Sequence, residues 1–426
     1  MKKILFLIIF LLSITIVSAQ KTYILCGKLV DTKTGKIEKR KTIVVERNKI
    51  THIHNGYVQP KSKGAKVISL KDKVVMPGLI DMHVHIEGQF NPKKYLERFT
   101  KNDADVALQS TVFAKATLKA GFTTVRDLGG SGVNIALRNA INGGYIIGPR
   151  ILTAGKAIGT TGGHADPTNG MRNELKGDPG PKEGVVNSVE DARKAVRQRY
   201  KNGADVIKIT ATGGVLSVAK NGQNPQFTLE EIKAITSTAK DYGMSIAAHA
   251  HGDEGMQRAV IGGVTTIEHG TLMSEETMDL MKKHGTYYVP TISAGKEVVK
   301  NAKIKGFFPE IIVPKALEIG PKIQSTFKIA YKRGVGIAFG TDAGVFPHGK
   351  NGGEFAYMVE AGMPAMEAIQ SATITNAKIL GMENAIGQIK KGFLADIIAV
   401  NDDPTKKIKT MEHVVFVMKD GMVYKN

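Results

Sequence analysis

The stretch "VVMPGLIDMHVHIEG" (residues 74–88) is a β-rich apolar run that ends in two histidines one residue apart. Alternate residues of a strand point to the same face, so His83 and His85 can offer two ring nitrogens to one ion. Alone, such a pair is more often structural than metal-binding. Its meaning depends on what stands at the ends of other strands, and the pattern recurs. "GFTTVRDLG", "PRILTAG", "ADVIKITATGG", "SIAAHAHG", "TTIEHG", "TYYVPTIS" and "GIAFGTDAG" are also short apolar runs closed by glycine or polar residues. Between them the spacing predicts helices over 104–120, 189–201, 229–242, 254–261, 274–284 and 314–332. Ser188 with Asp191, and Thr228 with Glu231, carry the spacing of helix N-terminal caps.

Eight alternating strand–helix units over roughly 300 residues specify an α/β fold, a (β/α)8 TIM barrel, whose strands all end at one mouth. An open doubly wound sheet is the alternative, but no glycine fingerprint for a dinucleotide follows the first strand. The flanks differ. Residues 20–76 and 386–426 hold short strands and turns, such as "KTIVVERNKITHIH" and "VVFVMKDGMVYKN". Neither flank suffices for a sheet domain of its own. Both termini are expected to combine in one small β-sandwich beside a barrel at 77–385.

Residues 1–19 are expected to be a signal peptide: "MKK", an apolar stretch over 4–17, then "SAQ" with cleavage after Ala19. The apolar stretch is shorter than the ~20 residues that span a bilayer. This predicts an exported protein, periplasmic or secreted, without a stable membrane anchor. Cys26 is the only cysteine, so no intramolecular disulfide is available. Composition is that of a globular chain of 426 residues, 42% hydrophobic and 23% charged. The formal charge of +20 raises the question of nucleic acid. The lysines are scattered, however, with no arginine-rich or aromatic-interleaved stripe, which argues against it. A basic surface suits anionic small substrates better.

Ionisable residues at the strand ends form one set: His83 and His85, Lys208, His249 and His251, His269, and Asp342. Lys208 stands between Ile207 and Ile209 in a run that should be buried. A buried ammonium costs several kcal/mol unless paired or lowered in pKa. Such a lysine either snorkels or pairs, or reacts with carbon dioxide to become a carbamate able to bridge two metals. Glu268 beside His269 is expected on the opposite strand face. Asp342, in "GTDAG", suits either an Asx turn or a carboxylate that touches metal and moves protons.

Together these stretches, with "GGHAD", "ATITNAKILG" and "GQIKKGFLADIIAV", resemble the amidohydrolase superfamily over essentially the whole mature chain. The similarity is to the branch of imidazolonepropionases and metal-dependent Xaa-Pro and Xaa-Arg dipeptidases. It implies two zinc ions, with His83, His85 and Asp342 on one, His249 and His269 on the other, and carbamylated Lys208 bridging them. His249 is preferred to His251 as a ligand because it lies 20 residues before His269, as in similar enzymes. His251 falls where those enzymes often place a substrate-contacting tyrosine. His164 resembles a loop histidine that binds the substrate carboxylate, and Tyr288 is expected to line the pocket.

The resemblance implies hydrolysis of a dipeptide or N-acyl amino acid by zinc-activated water, Asp342 carrying the proton, in a homo-oligomer. Cyclic-amide hydrolysis of the imidazolonepropionase kind is an alternative that fits poorly with export. Phosphotriester or lactone hydrolysis shares the metal logic. A catalytically dead scaffold is disfavoured, because all six ligand positions carry a competent residue.

Overall fold

The computed structural model describes residues 20–60 and 64–426; the expected signal peptide lies outside them. In chain order the strands are β1 (Lys21–Asp31), β2 (Lys36–Glu46), β3 (Lys49–Asn55), β4 (Lys66–Pro77), β5 (Leu79–Val84), β6 (Phe122–Asp127) and β7 (Arg150–Thr153). There follow β8 (Ile207–Thr210), β9 (Ile246–Ala250), β10 (Thr266–His269), β11 (Tyr287–Val289), β12 (Ile397–Val400), β13 (Phe416–Lys419) and β14 (Met422–Lys425).

The two termini do pair. They form one continuous seven-stranded sheet in the order β14-β13-β12-β4-β1-β2-β3, where two packed sheets are expected. β4 joins the halves, parallel to β1 and antiparallel to β12, with Met76 opposite Ile398. One face of this sheet makes its own core from Ile24, Ile43, Ile50, Ile397 and Phe416. Cys26 is buried there as a free thiol, and burial pushes it up to about 12.

β4 passes into β5 through Gly78, where a Cβ would fall 2.2 Å from Thr123 Oγ1. Only glycine lets the chain run that close to β6. Beyond it lie a parallel sheet β5-β6-β7 and a parallel sheet β11-β10-β9-β8. Ile158 connects β7's side to β8: its N–H donates to Lys208 O at 2.8 Å, and Thr210 N–H donates to Ile158 O at 3.0 Å. Segment 336–344 connects β11 to β5. Ala338 N–H donates to Tyr288 O at 2.9 Å, and Met82 N–H to Phe339 O at 3.0 Å.

That last segment has no strand-length pairing, unlike the expected eighth strand. A Cβ at Gly340 would meet Val289 Cγ1 at 2.4 Å, and Asp342 has φ +61°, so extended geometry stops early. Side chains secure the seam instead. The Asp81 carboxylate accepts from Thr341 N–H at 3.0 Å, Thr341 Oγ1 at 2.7 Å and Asn351 Nδ2 at 2.8 Å. Asn376 Nδ2 donates to Ile80 O at 2.8 Å and Phe339 O at 2.9 Å. Leaving any one of these buried groups unpartnered costs roughly 1–3 kcal/mol.

The expected helices are present, and both caps form. Ser188 Oγ accepts from Asp191 N–H at 3.1 Å, and Thr228 and Glu231 make a reciprocal capping box. The long helix expected over 314–332 is divided into Ile312–Ile319 and Ile323–Lys332 by a 3-10 turn at Gly320–Lys322. Pro321 lies in that turn and supplies no N–H to continue the helical ladder. The apolar faces of these helices bury against the parallel strands, through Val125, Ile207, Ile232, Ile267 and Phe327.

Candidate metal centre

β5, β9 and β10 carry buried His83, His249 and His269 at or next to their last residues, β8 carries buried Lys208, and Asp342 joins them from the last segment. Three residues leave regular extended geometry at these ends: His269 (φ +72°), Thr291 (φ +53°) and Asp342 (φ +61°). Non-glycine residues hold such angles at about 1–3 kcal/mol each, and they gather where a fold positions function.

Asp342 Oδ1 lies 3.5 Å from His83 Nε2 and 3.4 Å from His85 Nε2. Both Asp342 Oδ1 and His83 Nε2 are buried without a hydrogen-bond partner. His83, His269 and Asp342 each offer one ligand atom, all within 4.8 Å of one another. Native proteins seldom leave buried polar atoms unsatisfied. Here they converge on a common point, as a cation would require.

The other ring nitrogens are already engaged. His83 Nδ1 lies 2.8 Å from Glu268 Oε2, and His85 Nδ1 2.8 Å from Gly129 O. His269 Nδ1 is 2.7 Å from Thr291 Oγ1, and His251 Nδ1 2.9 Å from Thr271 Oγ1. His249 turns Nε2 to Gly213 O at 3.1 Å, which leaves Nδ1 as its free nitrogen. Fixing one nitrogen in this way orients the other toward a metal.

Electrostatics favour neutral imidazoles, the form that ligates. Burial, followed by the charge of Lys208, draws His85 down to about 4, and burial holds His83, His249 and His269 well below the usual range. Burial lowers Lys208 to about 8, opposed by Glu268 and Asp342. Burial raises Asp342 to about 8, against the pull of Lys208. The donor set of imidazoles, carboxylate and a buried amine fits a divalent cation.

A family comparison agrees with this donor set: the amidohydrolase family model matches residues 74–425. The chain belongs to the amidohydrolase family. As an amidohydrolase it is a hydrolase of carbon–nitrogen bonds, a class that typically uses metal ions and small-molecule substrates. It is 33% identical to ochratoxinase of Aspergillus niger over 369 residues, 83% of this chain and 76% of that one. A solved Xaa-Pro dipeptidase with bound methionine superposes with TM-score 0.93 at 54% identity, covering 96% of this chain and 100% of that one. A prolidase complexed with N-methylphosphonate-L-proline gives TM-score 0.86 at 31% identity, covering 96% and 100%.

The remaining expected residues divide. His164 joins the cluster: its ring stacks on His249 with centroids 4.3 Å apart, and its Nδ1 is buried without a partner. His251 lies beside them, 4.7 Å from His249 between centroids. Tyr288 is fully buried, and its hydroxyl donates to His269 O at 2.8 Å, so it holds the end of β10 in place.

Two functional residues escaped the sequence reading. Glu268 faces His83 and not the opposite side, because the positive φ of His269 ends the strand's alternation. Behind it Arg126, fully buried, donates Nη2 to Glu268 Oε1 at 2.8 Å. A charged residue inside the apolar run "TTVRDLG" was the available signal. Among the described residues no helix is long and apolar enough to cross a membrane.

Proposed function

We propose that this amidohydrolase is an exported dipeptidase or N-acyl amino acid hydrolase working with two zinc ions. His83, His85 and Asp342 would hold one, His249 and His269 the other, and Lys208 would join both as a carbamate. The observation that carries this reading is the unsatisfied pair His83 Nε2 and Asp342 Oδ1 within the histidine cluster. Sheets β5–β7 and β8–β11, hydrogen-bonded at both seams, support a closed (β/α)8 barrel with this cluster at its mouth. The domain limits are those of the sequence reading, near 76 and 386, and the pattern of residues 1–19 supports export.

Bound zinc supplies Lewis acidity to the scissile carbonyl and acidifies water. The chain's own residues do the rest. Lys208, its ammonium disfavoured by burial, would add carbon dioxide as the free amine, forming the carbamate and releasing one proton. The Asp342 carboxylate, central in the cluster, would take the proton of the attacking water and return it to the leaving nitrogen.

His164 supports a substrate with a free carboxylate, since its Nδ1 is uncommitted at the edge of the cluster. Methionine and the N-phosphonylated proline found with the similar structures both carry such a group. The test is a chelator experiment with a panel of Xaa-Pro, Xaa-Arg and N-acyl amino acid substrates. Chelation should abolish amide hydrolysis and zinc should restore it. Activity surviving complete metal removal overturns the metal reading, and inactivity of zinc-loaded protein on every carboxylate-bearing amide overturns the substrate reading.

A further inference from the structure

The loop after β8 covers the histidine cluster, and its conformation is held from outside. Gly213 N–H donates to Asn224 O at 3.0 Å and Gln226 N–H to Ala211 O at 2.9 Å, so residues 211–226 return on themselves. Within this excursion Gly213 O receives His249 Nε2 at 3.1 Å. Gly214 lies directly under His164: a Cβ there would be 2.3 Å from that ring's Cε1. The loop therefore touches both a candidate ligand and the candidate carboxylate-binding histidine.

A single ammonium gathers three of the loop's carbonyls. Lys315, on the helix Ile312–Ile319, donates Nζ to Gly214 O at 3.1 Å, Ser217 O at 2.6 Å and Ala219 O at 2.8 Å. Its three donors are thus matched by three backbone carbonyls. The residue is only 7% exposed, an unusual place for lysine. Carbonyls satisfy its hydrogens without cancelling its charge, and that charge acts on its surroundings. Gly214, whose carbonyl takes one of these bonds, lies under the His164 ring, so the ammonium stands one residue away from the proposed carboxylate subsite. Tyr95 OH, bonded to Leu216 O at 2.7 Å, supports the same loop from the other side but brings no charge.

We propose that Lys315 is a positioning residue for the substrate's carboxylate: it braces segment 214–219 beneath His164 and lends that subsite a positive potential. A second tyrosine, with one hydroxyl donor, would satisfy only one of these carbonyls and would bring no charge. A buried lysine facing backbone carbonyls adds an uncompensated cation beside two neutral histidines, which favours an anionic substrate end. This inference rests on the carboxylate-bearing substrate proposed above.

The experiment uses full-length zinc-loaded protein, Lys315→Met and Lys315→Arg, with one cleavable dipeptide and its C-terminal amide. In Lys315→Met, amide exchange over 213–219 should rise roughly ten-fold, as expected for a locally opened loop. KM for the free-acid dipeptide should rise about ten-fold, the scale of one lost charge interaction, with kcat and the amide's KM within about three-fold. Lys315→Arg, which keeps the charge, should recover most of the free-acid KM. Unchanged exchange, an equal KM shift for acid and amide, or a loss confined to kcat overturns the assignment. Wild-type protein that treats acid and amide alike overturns the carboxylate reading itself. A wild type that discriminates while Lys315→Met is unaltered overturns only the role of Lys315.

Discussion

Glu268 Oε2 sits 2.8 Å from His83 Nδ1, with both side chains wholly buried. The carboxylate also accepts from Arg126 Nη2 at 2.8 Å and from the hydroxyl of Thr266. It keeps the His83 proton on Nδ1 and leaves the Nε2 lone pair facing Asp342. Such outer partners typically contribute a 10–100-fold effect on metal affinity.

Glu268→Gln is therefore expected to lower zinc affinity by roughly 10–100-fold, measured by competition with a chromophoric chelator. The single variant also strands the Arg126 charge, which destabilises by about 3–5 kcal/mol. Arg126→Met/Glu268→Gln removes the charge with its partner. It should still bind zinc weakly, and wild-type affinity in a folded double variant would show that His83 needs no such support.

Lys208 supplies a second prediction. Lys208→Ala should reduce zinc below two per chain by elemental analysis and lower kcat by at least ~100-fold, the scale of losing a metal-organising group. Because a carbamate requires carbon dioxide, bicarbonate should speed zinc reactivation of metal-free wild type. Equal rates with and without bicarbonate, together with full zinc content in the variant, would remove the bridging role.

His83, His85, His249, His269 and Asp342 are legible in the sequence for one physical reason. Period-two strands that end in polar residues bring residues distant in number to one cluster. Glu268 is hidden because a positive φ cancels that alternation at the one place it matters. Tyr288 is ambiguous in sequence because an aromatic near a strand end suits either a pocket wall or, as its hydroxyl does here with His269 O, a bond to backbone. The helices Val133–Asn142 and Ile292–Ala302 lack side-chain caps of their own. Glu87 accepts from Asn134 N–H at 2.6 Å, and Glu354 from Ile292 N–H at 2.7 Å, so each helix start is capped from far along the chain. No local pattern announces a cap supplied 47 or 62 residues away.

Gly214 gives a third prediction independent of charge. Gly214→Ala places a methyl 2.3 Å from the His164 ring, so the ring must leave the face of His249. Losing one hydrogen bond to a charged group, about 1.5–3 kcal/mol, should raise KM for a free-acid dipeptide by at least roughly ten-fold. Zinc content should be unchanged. A variant with wild-type KM would show that His164 is not a substrate contact.

Glu354 gives a pH-dependent prediction outside the metal centre. Its carboxylate is fully buried, accepts from Ile292 N–H, Ser293 N–H and Ser293 Oγ, and is raised by burial from 4.5 to about 7. The folded protein thus holds a proton that the unfolded chain has already released. Stability from this group is full below pH 4.5 and is lost as pH rises through about 7. The shift corresponds to roughly 3 kcal/mol. Glu354→Gln keeps the shape and one acceptor but cannot titrate. Its melting temperature relative to wild type should therefore climb steadily between pH 5 and about 7.5, whatever its value at either end. A constant difference across that range in thermal unfolding would mean that Glu354 is ionised throughout, held by its three donors against burial.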